Sequence, residues 1–297
     1  MGRKLEEWMQ KQGTRLGEAG DWTRLLTIRK PGSEDDISGL PGTEPLSFQG
    51  KTPSVLCLHG YTGVPGEVEL AVEVARELGL ATEAPLIIGH GTHPSDLAAT
   101  RYDDWLDSVR PVFDRLRRQG PVILVGFSMG SLLAVELALS APGAVIGLAA
   151  LSNAFYLKSP FPGGLLKMID RLGIPDFSAP RGGSDIGDAE EAARHISYSL
   201  QPAHAGVSLL RAGERLDKEL FRIHCPTLIL HGARDRGCPI ENSWRFARQL
   251  GTRDQRVIIL PRSGHIITRD LDRAQVKAEL RAFLLRLTSR SREAVSQ

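Results

Sequence analysis

The chain has 297 residues, of which 41% are hydrophobic and 24% are charged. A composition this close to the average of globular proteins excludes an intrinsically disordered chain. The 37 basic and 35 acidic residues leave a formal net charge of +2, which gives no reason to expect a nucleic acid partner. The length fits two domains or one α/β domain with an insertion.

No segment predicts a membrane span. The longest nearly apolar stretch, residues 132–151, is interrupted by a glutamate, a serine, a proline and a glycine, which divide it into a helix and a strand. The first ten residues have mixed charges and no apolar run of signal-peptide length, so we expect a cytoplasmic protein. The three cysteines form no CxxC pair and predict free thiols.

Residues 1–50 predict an N-terminal extension. Gly, Pro, Ser and acidic residues dominate residues 31–45, and strand-like content is confined to residues 22–28 and 46–48. Such composition is typical of a loosely specified segment that precedes the folded core.

From residue 54, short apolar runs alternate with helical periodicity. Each run is too short for a stable helix, and a continuous apolar run is typical of a strand covered on both faces. The runs are residues 55–58, 84–88, 122–125, 146–151, 227–230 and 257–260. Among the intervening helices, the one around residues 105–116 contains Pro111, which predicts a kink or a restart. The alternation predicts an α/β fold with a mostly parallel central sheet flanked by helices.

The alternation fails between residues 153 and 222. Helical fragments at residues 165–172, 189–198 and 209–221 are separated there by prolines and glycines. We interpret this stretch as a cap inserted above a core made of residues 51–152 and 223–288. The polar residues 289–297 predict a flexible tail.

The sequence Gly126-Phe127-Ser128-Met129-Gly130 fits the pattern G-x-S-x-G. An apolar strand runs into it and a helical segment runs out of it, which is the strand-turn-helix context of a nucleophile elbow. Glycines two positions before and after the serine allow neighbouring backbone to approach closely. The pattern predicts Ser128 as a nucleophile; the alternative is a serine N-cap flanked by turn glycines.

A nucleophilic serine needs a histidine base and an acid that orients it. Asp235 follows the strand at residues 227–230, and His265 follows the last strand, in the expected order Ser, Asp, His. Asp235 as a solvated or capping acid and His265 as a surface histidine remain the alternatives. Because Asp235 favours imidazolium and burial opposes it, we expect the pKa of His265 to stay within about one unit of 6.5.

Two backbone amides are candidates for stabilising an oxyanion. One belongs to Met129, directly after the serine, and the other to Tyr61 in the loop His59-Gly60-Tyr61-Thr62-Gly63. A plain turn before Glu67 is the alternative for that loop. We interpret His59 and His90 as loop-ordering residues, and expect no metal site because His90 and His93 have no third ligand nearby.

Several segments together resemble the α/β-hydrolase superfamily, and within it the small bacterial carboxylesterases and monoacylglycerol lipases. The resemblance rests on these motifs and the segments Asp104-Trp105, Cys225-Pro226-Thr227, Ala233-Arg234-Asp235 and Ser263-Gly264-His265. It extends over about residues 44–287. It implies an α/β-hydrolase fold with Ser128, Asp235 and His265 as catalytic triad and Tyr61 and Met129 as oxyanion donors.

The resemblance also implies that residues 153–222 form the family's cap. Gly183-Ser184-Asp185-Ile186 is similar to a segment of the bacterial monoacylglycerol lipases, which makes Asp185 a candidate substrate-binding residue. The apolar candidates for an acyl-chain wall are Phe155, Tyr156, Phe161, Leu165, Leu166 and Met168. The same residues are equally suited to form the cap's own core.

These observations predict a serine hydrolase of carboxylic esters that needs no cofactor and takes a small ester or lipid as substrate. A thioesterase or acyltransferase with the same triad is the alternative within enzymes. A non-catalytic ligand-binding protein on this scaffold is the alternative from another class, but its expected mark, a missing triad or oxyanion element, is not present in the sequence.

Overall fold

The computed structural model describes residues 31–157, 171–172 and 176–295. The nine described strands are β1 (Leu46–Phe48), β2 (Lys51–Leu58), β3 (Leu80–Ala84), β4 (Val122–Phe127), β5 (Val145–Leu151), β6 (Ser178–Pro180), β7 (Leu200–Pro202), β8 (Thr227–Gly232) and β9 (Gln255–Leu260). The described α-helices are α1 (Glu69–Glu77), α2 (Pro94–Ala98), α3 (Tyr102–Gln119), α4 (Met129–Ser140), α5 (Ala189–Arg194), α6 (Ala203–Asp217), α7 (Glu241–Gln249) and α8 (Arg273–Val295). Short 3-10 helices span Ser33–Asp35, Pro65–Glu67, Leu220–Arg222 and Ile267–Arg269.

Seven strands form one sheet in the order β1-β3-β2-β4-β5-β8-β9. All neighbouring pairs are parallel except β1 and β3, which are antiparallel. The mostly parallel sheet flanked by helices is therefore confirmed. Because β3, β2, β4, β5, β8 and β9 run in one direction, their carboxyl ends meet at one edge of the sheet, where open α/β sheets hold their sites.

Helices cover both faces of this sheet. Leu56 and Leu58 of β2 pack with apolar residues of α3, α4, α6 and α7, whereas Val55 and Cys57 pack on the opposite face with α1 and α8. Successive strand residues thus enter two separate hydrophobic clusters. This arrangement explains why the central strands read as continuous apolar runs.

One predicted strand is wrong. The strand expected at residues 84–88 lies at Leu80–Ala84, and the chain then forms a loop. Pro85 has no N–H to donate to a ladder, and the amide of Ile87 donates instead to the side chain of His59. In β3, buried and half-buried residues alternate because this strand lies next to the short edge strand β1, so the apolar-run criterion missed it.

Helix boundaries differ from the sequence predictions at four places. Helix α3 runs through Pro111 without a restart, since this proline lies on the exposed side, where the freed carbonyl is accessible to solvent. Helix α5 ends at Arg194 rather than near residue 198, and α6 begins at Ala203 and ends at Asp217. The backbone of α8 stays helical to Val295, beyond the expected start of the tail, because Arg, Ala and Glu are good helix formers.

The segment before β2 packs on the body of the protein. Strand β1 pairs with β3, the side chain of Asp35 is buried, and the hydroxyl of Ser199 donates to it at 2.6 Å. The strand-like residues 22–28 and the first thirty positions of the predicted extension lie outside the described residues. In the part of the chain that is described, no helix has the length and apolar character that crossing a bilayer requires.

Candidate active site

Ser128 lies at a sharp turn between β4 and α4. Its backbone has φ 51° and ψ −117°, a left-handed conformation that costs a non-glycine residue on the order of 1–3 kcal/mol. A Cβ on Gly126 would overlap the carbonyl oxygen of Gly130, and one on Gly130 would overlap the carbonyl oxygen of Leu58. The close approaches expected at both glycines are therefore present, and the serine is held at the carboxyl edge of the sheet.

Three side chains that are far apart in the sequence come together here. The Oγ of Ser128 lies 2.9 Å from Nε2 of His265, and Nδ1 of His265 lies 2.7 Å from Oδ2 of Asp235. Asp235 follows β8 and His265 follows β9, so adjacent parallel strands deliver both. The amide of Gly264 donates to the fully buried carboxylate of Asp270 at 2.7 Å, which fixes the loop that carries His265.

The electrostatics of the site favour a charged imidazole. Burial disfavours imidazolium, yet the carboxylate of Asp235 and the neighbouring Cys238 raise the pKa of His265 well above its ordinary value. Burial likewise disfavours the ionised form of Asp235, but the contacts with His265 and His231 hold the pKa of Asp235 well below its usual range. The expectation that opposing effects would leave His265 near its ordinary pKa is wrong, because a carboxylate at 2.7 Å outweighs desolvation.

Asp235 is held by more than His265. The amides of Gly237 and Cys238 donate to its Oδ1 at 2.8 and 2.7 Å. Nε2 of His231, the penultimate residue of β8, lies 3.1 Å from its Oδ2. The carboxylate is thus fixed by its own turn and by the strand before it.

The loop after β2 carries Tyr61 and leads toward Ser128. The ring of Tyr61 packs against Trp105 at a centroid distance of 5.6 Å, and its hydroxyl donates to the carbonyl of Pro202 at 2.8 Å. Within the part of the chain that the structure describes, neither the Tyr61 nor the Met129 amide is bonded to an acceptor. Both donors are thus available, and Met129 begins α4, so the helix N-terminus adds its favourable dipole.

A buried carboxylate supports this loop from behind. Oε2 of Glu67 accepts the Gly60 amide at 2.9 Å, and its Oε1 lies 3.1 Å from Nε2 of His195. Burial disfavours ionisation, but the bond to His195 keeps the pKa of Glu67 below its ordinary value. The amide of Tyr198 also donates to the carbonyl of Thr62 at 3.0 Å. Residues of the insertion therefore hold the loop in place.

The proposed cap residues have different environments. Phe155 is buried in the core, 5.2 Å from the ring of Phe246, which fits the packing alternative. The guanidinium of Arg245 lies over the ring of Tyr156, and the distance from Cζ of Arg245 to the ring centroid is 4.4 Å. Substrate contact by Phe155 and Tyr156 stays a prediction. The remaining apolar candidates lie outside the described residues: Phe161, Leu165, Leu166 and Met168.

Asp185 joins the insertion to the loops of the site. Its Oδ2 accepts the amide of Arg236 at 2.7 Å and its Oδ1 accepts Nε of the same arginine at 2.9 Å. Its backbone carbonyl accepts the amide of Ile266. Both carboxylate oxygens therefore bond a neighbour of Asp235, and its main chain bonds a neighbour of His265. In this structure Asp185 braces those two loops. Substrate contact by Asp185 stays a prediction.

Two of the remaining histidines order loops, as the sequence analysis interpreted them. Nδ1 of His59 lies 3.0 Å from the carbonyl of Gly60, while its Nε2 accepts the amide of Ile87. This fixes a neutral tautomer, and burial lowers the pKa of His59. His90 packs against it at 5.1 Å, and burial together with this neighbour lowers the pKa of His90 to about 3.

One group among the described residues has the composition of a metal site: Asp235, Cys238 and His265. Both carboxylate oxygens of Asp235 already face N–H groups, and both ring nitrogens of His265 have partners. A metal ion would have to displace these bonds. His93 uses both ring nitrogens to contact Ser95 and the carbonyl of Gly32, so its pairing with His90 has no support as a ligand set.

The sequence analysis passed over Glu67 and His231, although both contact the site. His231 carried a usable signal, because it directly follows the buried run at residues 227–230 and lies four residues before Asp235. Glu67 carried none, since its partner His195 lies 128 positions away.

Comparison with known proteins agrees with this geometry. Residues 51–272 match the Hydrolase_4 family, described as serine aminopeptidase, S33. The chain belongs to this family. This α/β-hydrolase is 27% identical over 243 residues to the thermostable monoacylglycerol lipase of Bacillus sp. (strain H-257), a match that covers 80% of the chain and 92% of that relative. It is 24% identical over 249 residues to a carboxylesterase of Bacillus subtilis (strain 168), covering 82% of the chain and 97% of the relative.

Solved structures of α/β-hydrolases share the same fold. A structure from work on the metagenome-derived lipolytic enzymes LipS and LipT superimposes with a TM-score of 0.76 at 27% identity, covering 83% of this chain and 99% of that one. The monoacylglycerol lipase of Paleococcus ferrophilus gives a TM-score of 0.71 at 22% identity, with coverages of 82% and 98%. The resemblance to bacterial α/β-hydrolases expected from the sequence is confirmed.

Proposed function

We propose that this protein is a serine hydrolase that cleaves carboxylic esters through an acyl-enzyme. The observation that carries the proposal is the chain of contacts from Ser128 Oγ to His265 Nε2 at 2.9 Å and from His265 Nδ1 to Asp235 Oδ2 at 2.7 Å. A serine hydroxyl is a weak nucleophile by itself, and a histidine within hydrogen-bond reach activates it. Asp235 orients the ring and stabilises the imidazolium that forms.

The first half of the reaction acylates the serine. Nε2 of His265 takes the hydroxyl proton while Ser128 Oγ bonds to the ester carbonyl carbon, and the carbonyl electron pair moves to its oxygen. The Tyr61 and Met129 amides donate to this oxyanion. When it collapses, the bond to the alcohol oxygen breaks, and His265 gives its proton to the leaving alcohol.

The second half repeats these steps with water as the nucleophile. His265 takes a proton from water as the oxygen attacks the acyl carbon. Collapse of the second tetrahedral intermediate breaks the bond to Ser128, which recovers the proton from His265. The carboxylic acid leaves, and no electron acceptor or metal ion enters the balance.

We propose short to medium acyl esters, including monoacylglycerols, as the substrate class. Two curated relatives are named monoacylglycerol lipase and carboxylesterase, and described residues of the insertion, Asp185 and Tyr198 among them, contact the loops that carry the site. The segment from Tyr198 to Pro202 contacts the loop of Tyr61. The acyl chain therefore meets residues of the insertion as it enters the site.

A thioesterase is the second candidate. The human palmitoyl-protein thioesterase ABHD10 is 27% identical over 232 residues, and the same triad and amides serve a thioester carbonyl equally well. Matched oxygen and sulfur esters of one acyl chain separate the two candidates. The sulfur ester is intrinsically more reactive than the oxygen ester. The protein would be assigned as a thioesterase if its kcat/KM for the sulfur ester exceeded that for the oxygen ester by far more than this difference in reactivity.

Covalent labelling tests the nucleophile. An organophosphonate should modify the enzyme stoichiometrically, and peptide mapping should place the adduct on Ser128. Ser128→Ala should lose labelling and hydrolysis of p-nitrophenyl esters while remaining folded. Ser140→Ala, at the far end of α4, is the matched control and should keep wild-type activity. An adduct on another residue, or hydrolysis of aminoacyl amides but not of esters, would overturn the proposal.

A further inference from the structure

A second imidazole faces the carboxylate of Asp235. Nε2 of His231 lies 3.1 Å from Oδ2, the same oxygen that contacts Nδ1 of His265 at 2.7 Å. The His231 contact is within ion-pairing distance but lacks the geometry of a good hydrogen bond. One carboxylate oxygen is therefore shared by two histidines, and the shorter contact belongs to the one that reaches Ser128.

His231 is anchored from its other side. Its Nδ1 lies 2.8 Å from Oγ of Ser243 on α7. Both side chains are fully buried, with no exposed surface on either residue. A carboxylic ester hydrolase with the triad alone would need neither of them, and both occupy space that apolar side chains fill elsewhere in the core.

The surroundings determine where the His231 proton lies. An unprotonated Nε2 would place its lone pair close to the anionic Oδ2, and these would repel. A proton on Nε2 instead places a positive N–H near the oxygen, an electrostatic contact at an N···O distance of 3.1 Å rather than a well-aligned hydrogen bond. Nδ1 then accepts the hydroxyl proton of Ser243, which satisfies both groups. The carboxylate of Asp235 thereby favours the tautomer with the proton on Nε2, and Ser243 supplies the donor that this tautomer needs at Nδ1.

We propose that His231, fixed by Ser243, is a positioning residue of the triad that moderates the basicity of His265. This inference rests on the proposed function. A donor that faces Oδ2 stabilises the negative charge there, so less of that charge acts on His265. Among the residues that the structure describes, Asp235 and Cys238 are the ionisable groups whose charge acts on His265, and the side chain of Arg236 is turned away toward Asp185.

The proposal has a direct consequence for pH dependence. When the N–H of His231 is lost, the negative charge on Oδ2 of Asp235 acts on His265 alone. The imidazolium form of His265 is then stabilised further. The base then needs a higher pH to become neutral, and the acidic limb of kcat/KM moves upward. A residue that merely fills core volume would lower the folded fraction or kcat but would leave the position of that limb unchanged.

The experiment compares complete pH profiles of kcat/KM for four variants. His231→Phe should move the acidic limb up by at least about half a unit and lower the plateau roughly tenfold, less than the loss of general acid-base catalysis would. Ser243→Ala should move the limb in the same direction by less, because Nδ1 of His231 loses its partner and the ring is held less firmly beside Asp235. His231→Gln, whose amide can donate to Oδ2, should restore most of the wild-type profile. His224→Gln, an exposed histidine, is the matched control.

The outcomes separate this inference from the proposed function. If Ser128→Ala is inactive and His231→Phe keeps the wild-type limb while remaining folded by circular dichroism, the moderating role is refuted and the triad stands. If Ser128→Ala remains active, the proposed function fails first. If His231→Phe does not fold, Ser243→Ala decides the question. An acidic limb of Ser243→Ala at the wild-type position would refute the proposal, whereas an upward shift of that limb, with His231→Gln close to wild type, would support it.

Discussion

Glu67 and His195 form a buried pair that joins the insertion to the loop of Tyr61. Oε1 of Glu67 lies 3.1 Å from Nε2 of His195, and the two side chains are 2% and 0% exposed. Nδ1 of His195 contacts Oγ of Ser184 at 2.8 Å, so the histidine is itself fixed. Since Glu67 also accepts the Gly60 amide, the pair sets the loop that carries a proposed oxyanion donor.

Glu67→Ala should destabilise the protein and impair catalysis together. It leaves the Gly60 amide and a buried imidazole without their acceptor, and breaking a buried pair in this way costs about 3–5 kcal/mol. Chemical denaturation should show that loss, and kcat should fall more than KM rises because the oxyanion loop is less fixed. Glu77→Ala, at an exposed pair with Lys277, is the control and should change neither measurement.

The same pair predicts a pH dependence of stability. The pKa of Glu67 is lower in the folded protein than its ordinary value, so its ionised form stabilises the fold at pH values above about 4.3. This contribution disappears as the pH falls through the folded pKa. The stability difference between wild type and Glu67→Gln should therefore shrink below pH 4; a constant difference would contradict the assignment.

Asp235→Asn should reduce kcat by about 10⁴-fold, the loss known for the comparable change in a serine protease. The amide would favour the wrong tautomer of His265, although the shape of the side chain is kept. Asp254→Asn is the matched control. Asp254 precedes β9 at the opposite edge of the sheet, where Arg286 bonds both its oxygens at 2.7 Å. Its loss should leave kcat unchanged, and the reverse result would identify Asp254 as the acid.

The pH profile of kcat/KM should show its acidic limb above pH 6.5. The base must be neutral to accept the proton of Ser128, and the carboxylate of Asp235 raises the pKa of His265 well above that ordinary value despite burial. Activity should therefore rise as the pH increases through the neutral range and beyond. A limb below pH 6 would show that desolvation outweighs the carboxylate; a limb near pH 4 alone would exclude histidine as the base.

Gly130→Ala should abolish activity and lower the melting temperature. Its Cβ would overlap the carbonyl oxygen of Leu58, so β2 or the start of α4 must shift, and with it the Ser128 turn. Gly182→Ala is the control, because a Cβ there meets no atom within 4 Å. Thermal denaturation and the steady-state rate of both variants test the idea. A fully active Gly130→Ala would contradict this prediction, because it would show that the turn can accommodate a Cβ at this position.

The parts of the candidate site that depend on neighbouring residues in the sequence could be predicted from short sequence patterns. The sequence Gly126-Phe127-Ser128-Met129-Gly130 between an apolar run and a helix needs only neighbouring residues to be interpreted, and strand order then places Asp235 and His265. The contact of Asp185 with the loops of the site was not predictable in this way. Its partner Arg236 lies 51 positions away in sequence, and an acid in a glycine-rich segment has the same local signature whether it binds an arginine or a substrate.

The strand error has a similar origin. Apolar content at residues 84–88 suggested a buried strand, but Ile87 is buried in a loop whose backbone bonds His59. In the middle of the sheet, buried apolar residues lie in strands. Near its edge, a buried apolar residue such as Ile87 can lie in a loop instead. The pKa of His265 also required three dimensions, because the balance of burial against a carboxylate depends on a distance that composition does not contain.

Helix α6 limits how much of the insertion could be replaced by the corresponding segment of a relative without disturbing the core. Strand β5 ends at the carboxyl edge of the sheet and its parallel neighbour β8 begins at the opposite edge, so the chain must return across one face. The 15 residues of α6 span about 22 Å at the usual helical rise and pack with α3 and α4. We therefore propose that, within the segment predicted as the cap, residues 203–222 serve as the return connection that every parallel strand pair needs, and that residues 153–202 are the inserted part. Grafting that shorter segment from one relative to another should transfer acyl-chain preference, whereas exchanges that include α6 would also replace part of the core.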